Sequence, residues 1–162
     1  MEKEIEEKIV NEYSPIEHPY SQRIDKANEY REHNKALDQS PDFLKIEQEV
    51  EKEVFTQFAL DGIARLEYDL ANGGEDDESV FYDDKFDAPT EYDIYLRKKS
   101  NRIKEAKRLL EMYPNEPEHA ARLFIQLGSC HRLWAMKKRI LKEKYGIIWY
   151  APSEVYPDDC YD

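Results

Sequence analysis

Cysteine is nearly missing from this 162-residue chain: only Cys130 and Cys160 occur. Two thiols are too few for a disulfide scaffold, so a reducing, cytoplasmic setting is expected. Glycine is scarce too, at five residues. The pair Gly73-Gly74 lacks a Lys-Ser/Thr companion, so neither a phosphate-binding loop nor a dinucleotide fingerprint is present. No run of about 18 apolar residues occurs, which excludes a membrane-spanning helix. Met1 to Lys8 is mostly Glu and Lys, so no signal peptide is expected there. Internal repeats and low-complexity linkers are absent. Basic residues are outnumbered 24 to 36, for a formal charge of −12.

What is present argues for a folded chain. Hydrophobic residues make up 40 % and include twelve Tyr, six Phe and two Trp, more than a disordered segment carries. The length fits one domain spanning residues 1–162. The charge is unevenly distributed. Residues 1–89 hold 25 acids and 10 bases, residues 90–146 hold 7 acids and 14 bases, and residues 147–162 hold 4 acids and no base. An acidic front (−15), a basic middle (+7) and an acidic tail (−4) follow one another. Such asymmetry signals either a charged partner or opposite surfaces that meet within one fold.

Periodicity reads as helix throughout. Residues 1–39 hold a short helix at 2–12, with Ile5, Ile9 and Val10 on one side, then a segment broken by Pro15 and Pro19. A second helix runs from a Ser21 cap to about Asp38, with Ile24, Ala27, Tyr30 and Leu37 inward. Ser40-Pro41-Asp42 is a stronger start signal, namely a capping hydroxyl, a first-turn proline and an acid that suits the helix dipole. The helix it opens should end at Asn72-Gly73-Gly74. Some 31 residues at 1.5 Å each make a rod of roughly 46 Å. Its apolar side moves along its length. Phe43, Ile46, Val50 and Val54 lie together, whereas Phe55, Ala59, Ile63, Leu66 and Leu70 cluster nearly opposite. This predicts a helix buried at its middle that meets different neighbours at each end, in preference to a bend.

Residues 73–89 read as an acidic loop containing Val80, Phe81, Tyr82 and Phe86. Thr90 with Asp93 forms a capping arrangement for the next helix, whose stripe is Tyr92, Leu96, Ile103, Ala106 and Leu110. A last helix from Glu116 to Tyr145, capped by Asn115, carries Ala120, Leu123, Phe124, Leu127, Cys130, Trp134, Leu141 and Tyr145. The short connection at 113–115 predicts antiparallel neighbours. The expected fold is all-α: an irregular helical bundle built on the long helix 40–72 and a basic antiparallel helical hairpin at 90–146. An acidic aromatic tail, 147–162, follows and is expected to pack back on the bundle.

Catalytic and metal chemistry find little support. A carboxylate di-iron bundle needs two Glu-x-x-His pairs, and only Glu116/His119 qualifies. Zinc needs three or four convergent Cys or His ligands, and Cys130, His131 and Cys160 have no specific spacing. Cys130 and His131 are adjacent, so on a helix they diverge by about 100° and cannot form a nucleophile–base pair. Glu47, Glu49, Glu51 and Glu53 alternate and therefore point in different directions, as on a solvated surface. No catalytic, cofactor or metal residue is assigned, and the chain is not expected to be an enzyme.

Three features stand above background. The acidic loop offers Glu75, Asp76, Asp77, Glu78, Asp83, Asp84 and Asp87, and dense carboxylates can imitate a phosphate backbone for a basic or nucleic-acid-binding protein. Alternatively the loop shields the basic hairpin. The hairpin offers Arg97, Lys98, Arg102, Lys104, Lys107 and Arg108 on one helix, with Arg132, Lys137, Arg139, Lys142 and Lys144 on the other, a density suited to nucleic acid. Lys99 and Lys138 fall on apolar stripes, so each either snorkels or meets a carboxylate from elsewhere in the chain. The tail carries Trp149, Tyr150, Val155, Tyr156 and Tyr161. The leading expectation is a non-enzymatic acidic interaction protein, in its sharpest form a nucleic-acid mimic that regulates or inhibits its partner. The alternative is a nucleic-acid-binding module using the hairpin. Which applies turns on whether the hairpin's cations are covered by the chain's own acids.

Overall fold

A computed structural model of the chain describes residues 20–78 and 89–159, with side chains from Asp25 onward. The helix expected at 2–12, the prolines 15 and 19, the Ser21 cap, the acids Asp83, Asp84 and Asp87, and Cys160 and Tyr161 lie outside the described residues or side chains. The fold is all-α. In chain order the helices are α1 (Tyr20–Asp38), α2 (Pro41–Ala71), α3 (Glu91–Leu96), α4 (Lys99–Met112), α5 (Glu118–Ala121), α6 (Ser129–Tyr145) and α7 (Pro152–Val155), with a 3-10 turn at Arg122–Phe124. Among the described residues no strand forms, and no helix is long and apolar enough to cross a membrane.

The long helix begins and ends where its local signals place it. The Ser40 hydroxyl accepts a hydrogen bond from the Phe43 N–H at 3.3 Å, with Pro41 at the first helical position. At the other end Gly73 adopts φ +84°, the Gly73 N–H reaches Leu70 O and the Gly74 N–H reaches Asp69 O at 2.7 Å. That pair of bonds is a Schellman closure, which needs the left-handed conformation that glycine adopts without strain. The buried side turns along α2 as its pattern predicts: Phe43, Val50 and Val54 first, then Phe58, then Ala59, Ile63 and Leu66.

The chain divides into two compact units. One comprises residues 1–48 and 130–162, the other residues 49–129. In the first, α1 packs on α7, and Ala27, Phe43, Leu141, Trp149, Ala151 and Val155 are buried. The tail is held there by side chains of α1 that bond its backbone. Asn34 Nδ2 donates to Tyr150 O at 2.7 Å while Asn34 Oδ1 accepts from Tyr150 N at 3.1 Å. His33 Nε2 bonds Ile148 O at 2.6 Å, and Arg31 donates to Val155 O. The Tyr30 and Tyr150 rings stack at 3.8 Å. Burial, with the negative charge of Glu154 and Glu29 nearby, pushes both phenols above their ordinary value.

In the second unit α4 packs on α3 and on α5, over a core that includes Leu96, Ile103, Ala106, Leu109, Ala120, Leu123 and Phe124. Gly62 of α2 lies so close to the Phe124 ring that a Cβ there would sit 2.3 Å from it.

The two uninterrupted helices expected for the 90–146 hairpin are corrected by the structure, because each is broken. The first breaks at Arg97–Lys98, where Lys98 is extended (ψ 125°) and bridges to Asp77. The second breaks at 125–128, where Ile125 is extended and Gly128 takes φ +81°. The register resets there, so the stripe from Ala120 to Tyr145 is not one buried face. Ala120, Leu123, Phe124 and Leu141 are buried, Cys130 and Trp134 are half-buried, and Leu127 is 87 % exposed.

Candidate functional site

The acidic segment begins where α2 ends. Released from the helix by Gly73 and Gly74, residues 76–78 run antiparallel to residues 97–99. The Glu78 N–H donates to Arg97 O and the Lys99 N–H donates to Asp76 O, both at 2.8 Å. This places the Asp76 carboxylate over the first turn of α4, where it accepts from Ser100 N and from Ser100 Oγ, each at 2.8 Å. A carboxylate there satisfies an orphan amide and suits the positive end of the helix dipole. Those Ser100 hydrogen bonds, with Lys98 and Lys99 near, hold the Asp76 carboxyl below its ordinary value.

One turn deeper, Glu78 serves two cations. Its Oε2 accepts from Arg102 Nη1 at 2.8 Å and its Oε1 lies 3.7 Å from Lys99 Nζ, which also reaches Asp69 at 3.9 Å. Arg102 is fully buried and donates from Nε to Leu96 O at 3.0 Å. Buried charges of this kind persist only when paired and hydrogen-bonded. Lys99, the lysine on an apolar stripe, thus meets carboxylates brought from α2 and from the acidic segment.

The same pattern recurs along the basic elements. Lys107 Nζ lies 2.7 Å from Glu67. Arg108 bonds Glu105 one turn earlier, which pushes its guanidinium further above its ordinary value. On α6, Lys137 Nζ bonds Glu47 at 2.9 Å and lies 4.3 Å from the Trp149 ring centroid. Lys138 bonds Glu154 at 2.6 Å, and Glu154 also accepts from Ala151 N at 2.8 Å.

The sequence-derived candidates therefore separate into groups. Of the acids, Asp76 and Glu78 are engaged with α4, Glu75 and Asp77 are exposed, and Asp83, Asp84 and Asp87 lie outside the described residues. Of the bases, Arg102 is buried, Lys107, Arg108 and Lys137 have carboxylate partners, Arg97 is half-buried, and Lys98, Lys104 and Arg139 are exposed. Sequence reasoning missed Ser100, Asn34 and Gly62. Each acts through a partner far along the chain, and only the glycine's placement in a strongly apolar stretch hinted at close packing.

Acids dominate what faces solvent on α2, which carries eight acids against three bases. Asp42, Glu49, Glu51, Glu53, Asp61 and Glu67 are all exposed. At 100° per residue Glu49, Glu53 and Glu67 fall along one line, about 27 Å long at 1.5 Å per residue. Among the described residues no group of three or more His, Cys, Asp or Glu is placed to hold a metal ion. Glu116 and His119 stand 3.6 Å apart, and His131 meets Trp134 edge-on at 5.3 Å. Compared with protein-family models, curated proteins and solved structures, the chain matches none of them.

Proposed function

We propose that this chain is a non-enzymatic acidic interaction protein that binds a basic protein partner, in its specific form as a nucleic-acid mimic that regulates or inhibits a nucleic-acid-binding protein. The observation that carries this is the internal use of its cations. Lys99, Arg102, Lys107, Arg108, Lys137 and Lys138 each have a carboxylate of the same chain as partner. Much of the +7 block is thereby neutralised from within, while Asp42, Glu49, Glu51, Glu53 and Asp61 of α2, with Glu75 and Asp77, face solvent. A surface that is acidic along one helix steers a partner of the opposite sign and sets specificity more than raw affinity.

The test is a mobility-shift competition. Basic nucleic-acid-binding proteins are held on labelled duplex DNA or RNA at low salt, and the full chain is titrated in. Displacement of the nucleic acid is expected, weakening steeply with salt. Reversing Glu49, Glu53 and Asp61 to Lys should abolish it. If no member of a broad panel releases its nucleic acid, or the reversal changes nothing, the proposal is wrong.

A further inference from the structure

Residues 147–155 are held by α1 and α6 in the manner of a bound peptide. Gly146 ends α6 at φ +67°, with its N–H on Lys142 O and the Ile147 N–H on Leu141 O, each at 3.0 Å. Beyond this closure Arg31, His33 and Asn34 of α1 all bond tail backbone, at Val155 O, Ile148 O and both the N–H and the C=O of Tyr150. A side-chain amide that takes both backbone groups of one residue replaces what a neighbouring strand would supply. Burial alternates along this stretch. Ile148 is 51 % exposed, Trp149 and Ala151 are buried, and Tyr150 between them lies on the Tyr30 ring. Lys137 Nζ stands 4.3 Å from the Trp149 ring centroid, and Lys138 holds Glu154, which turns back on the Ala151 N–H. Main-chain bonds that give affinity, with alternate side chains that give specificity, are the means by which extended peptides are recognised.

From this we infer that the face of α1 and α6 under the tail is a peptide-binding groove, and that the partner it takes is the tail of a second copy of the chain, exchanged for its own. A second copy offers the same atoms, so each of these contacts is remade between molecules without a new surface having to fit. The change is confined to the joint at Gly146 and Ile147. A glycine leaves the left-handed conformation as readily as it holds it, so opening the joint carries little strain. Charge favours the same occupant. Residues 147–162 hold four acids and no base, and Glu154 is set against Lys138 within the groove. Tethering gives the chain's own tail an effective concentration in the millimolar range. The closed monomer therefore prevails at micromolar concentration, and exchange rises as the chain is concentrated or the joint is strained.

This inference is independent of the acidic-surface proposal, since it uses neither the exposed acids of α2 nor residues 75–78, and either can fail without the other. It also goes beyond simple packing of the tail. A tail that only packs would not be replaceable by one from another molecule.

The experiment mixes two full-length variants with complementary defects. Asn34→Ala spoils the groove and keeps the tail, whereas Trp149→Ala spoils the tail and keeps the groove. Sedimentation at micromolar concentration should show each alone as a monomer, and the mixture as a one-to-one complex in which the N34A tail fills the W149A groove. A labelled peptide of residues 147–159 should likewise bind W149A at least about 10-fold more tightly than the native chain, whose own tail competes; truncating a buried tryptophan weakens docking by more than that. The hinge supplies a test that depends on neither variant folding. Gly146→Val strains the closed joint, and relieving that strain in two chains should tighten the exchanged dimer by about 30- to 700-fold. Adding N34A to that chain should cancel the gain. A mixture that stays monomeric while both variants keep the native helical circular dichroism overturns the inference. Where either variant loses that signal, a G146V chain that stays monomeric up to millimolar concentration overturns it instead. So does a scrambled peptide that binds W149A as tightly as the native sequence, since the groove would then be an unselective apolar surface.

Discussion

Replacing Asp76 by Ala removes the one carboxylate that closes the first turn of α4 from 24 residues away. Two hydrogen bonds vanish, from Ser100 N and from Ser100 Oγ, both 2.8 Å. Loss of a capping side chain costs about 1 kcal/mol, within a range of 0.5–2. Because the carboxylate lies near the surface, the second bond adds little, and a total loss of about 1–1.5 kcal/mol is expected from the capping scale. Asp76→Asn keeps an acceptor but loses the charge, and should cost roughly half as much. The pH dependence gives a second readout. The folded carboxyl titrates below its ordinary value of 3.8, so its stabilisation is complete above that ordinary value and is lost as pH falls through the lower folded one. Urea unfolding at pH 7 and at steps down to pH 2.5 measures both. The native chain should lose this increment on acidification, whereas D76N and D76A should show a shallower acid limb. Amide exchange at Ser100, Asn101 and Arg102 should quicken in D76A. An alanine variant within about 0.3 kcal/mol of native, well below the loss expected for a cap, with an unchanged acid limb, would refute the assignment of Asp76 as the cap of α4.

Two further outcomes test the packing. Gly→Ala in a helix interior normally gains up to about 1 kcal/mol, but at Gly62 the new methyl would collide with the buried Phe124 ring, so Gly62→Ala should destabilise by about 1–3 kcal/mol. Thermal unfolding decides the sign, and pairing it with Phe124→Leu should recover part of the loss. Asn34→Ala removes both bonds to the Tyr150 backbone, worth about 1–3 kcal/mol together at 0.5–1.5 each. It should release the tail, seen as a red shift of tryptophan emission and faster proteolysis beyond residue 146; an unchanged cleavage pattern would show that the tail is held by other contacts.

What could be read from sequence was what short-range chemistry determines. Ser40-Pro41 and Gly73-Gly74 bounded α2 because caps act within a few residues. The Thr90/Asp93 box forms as its spacing predicts, with Asp93 N donating to Thr90 Oγ1 at 3.1 Å and Thr90 N to Asp93 Oδ2 at 2.9 Å. Lys99 and Lys138 were legible as cations that either snorkel or meet a carboxylate, since a charge on an apolar stripe must reach water or be paired. Their partners Glu78, Asp69 and Glu154 were not, because pairing across such separations is a property of packing. The two helix breaks were hidden for a related reason. The apolar spacing continues through 97–98 and through 125–128, and periodicity cannot report that Asp76 caps α4 from a distance or that Gly128 resets the register, leaving Leu127 in solvent.

These pairings also explain why charge counted in blocks along the chain is a poor guide to the charge a partner meets. Within residues 49–129, Glu67, Asp69 and Glu78 of the acidic front neutralise Lys107, Lys99 and Arg102 of the basic middle. Within the other unit Glu47 and Glu154 neutralise Lys137 and Lys138. Apart from the exposed Lys107–Glu67 pair, the opposite blocks thus cancel where at least one partner is largely buried and an unpaired charge would be costly. Charges on outer faces bear no such constraint, since exposed pairs contribute little to stability. Exposed acids of α2 such as Glu49 and Asp61 therefore contribute little to folding. If they serve a partner, neutralising them should leave stability nearly unchanged while altering binding; the buried pairs should show the opposite. That dissociation separates a functional charge from a structural one in this chain.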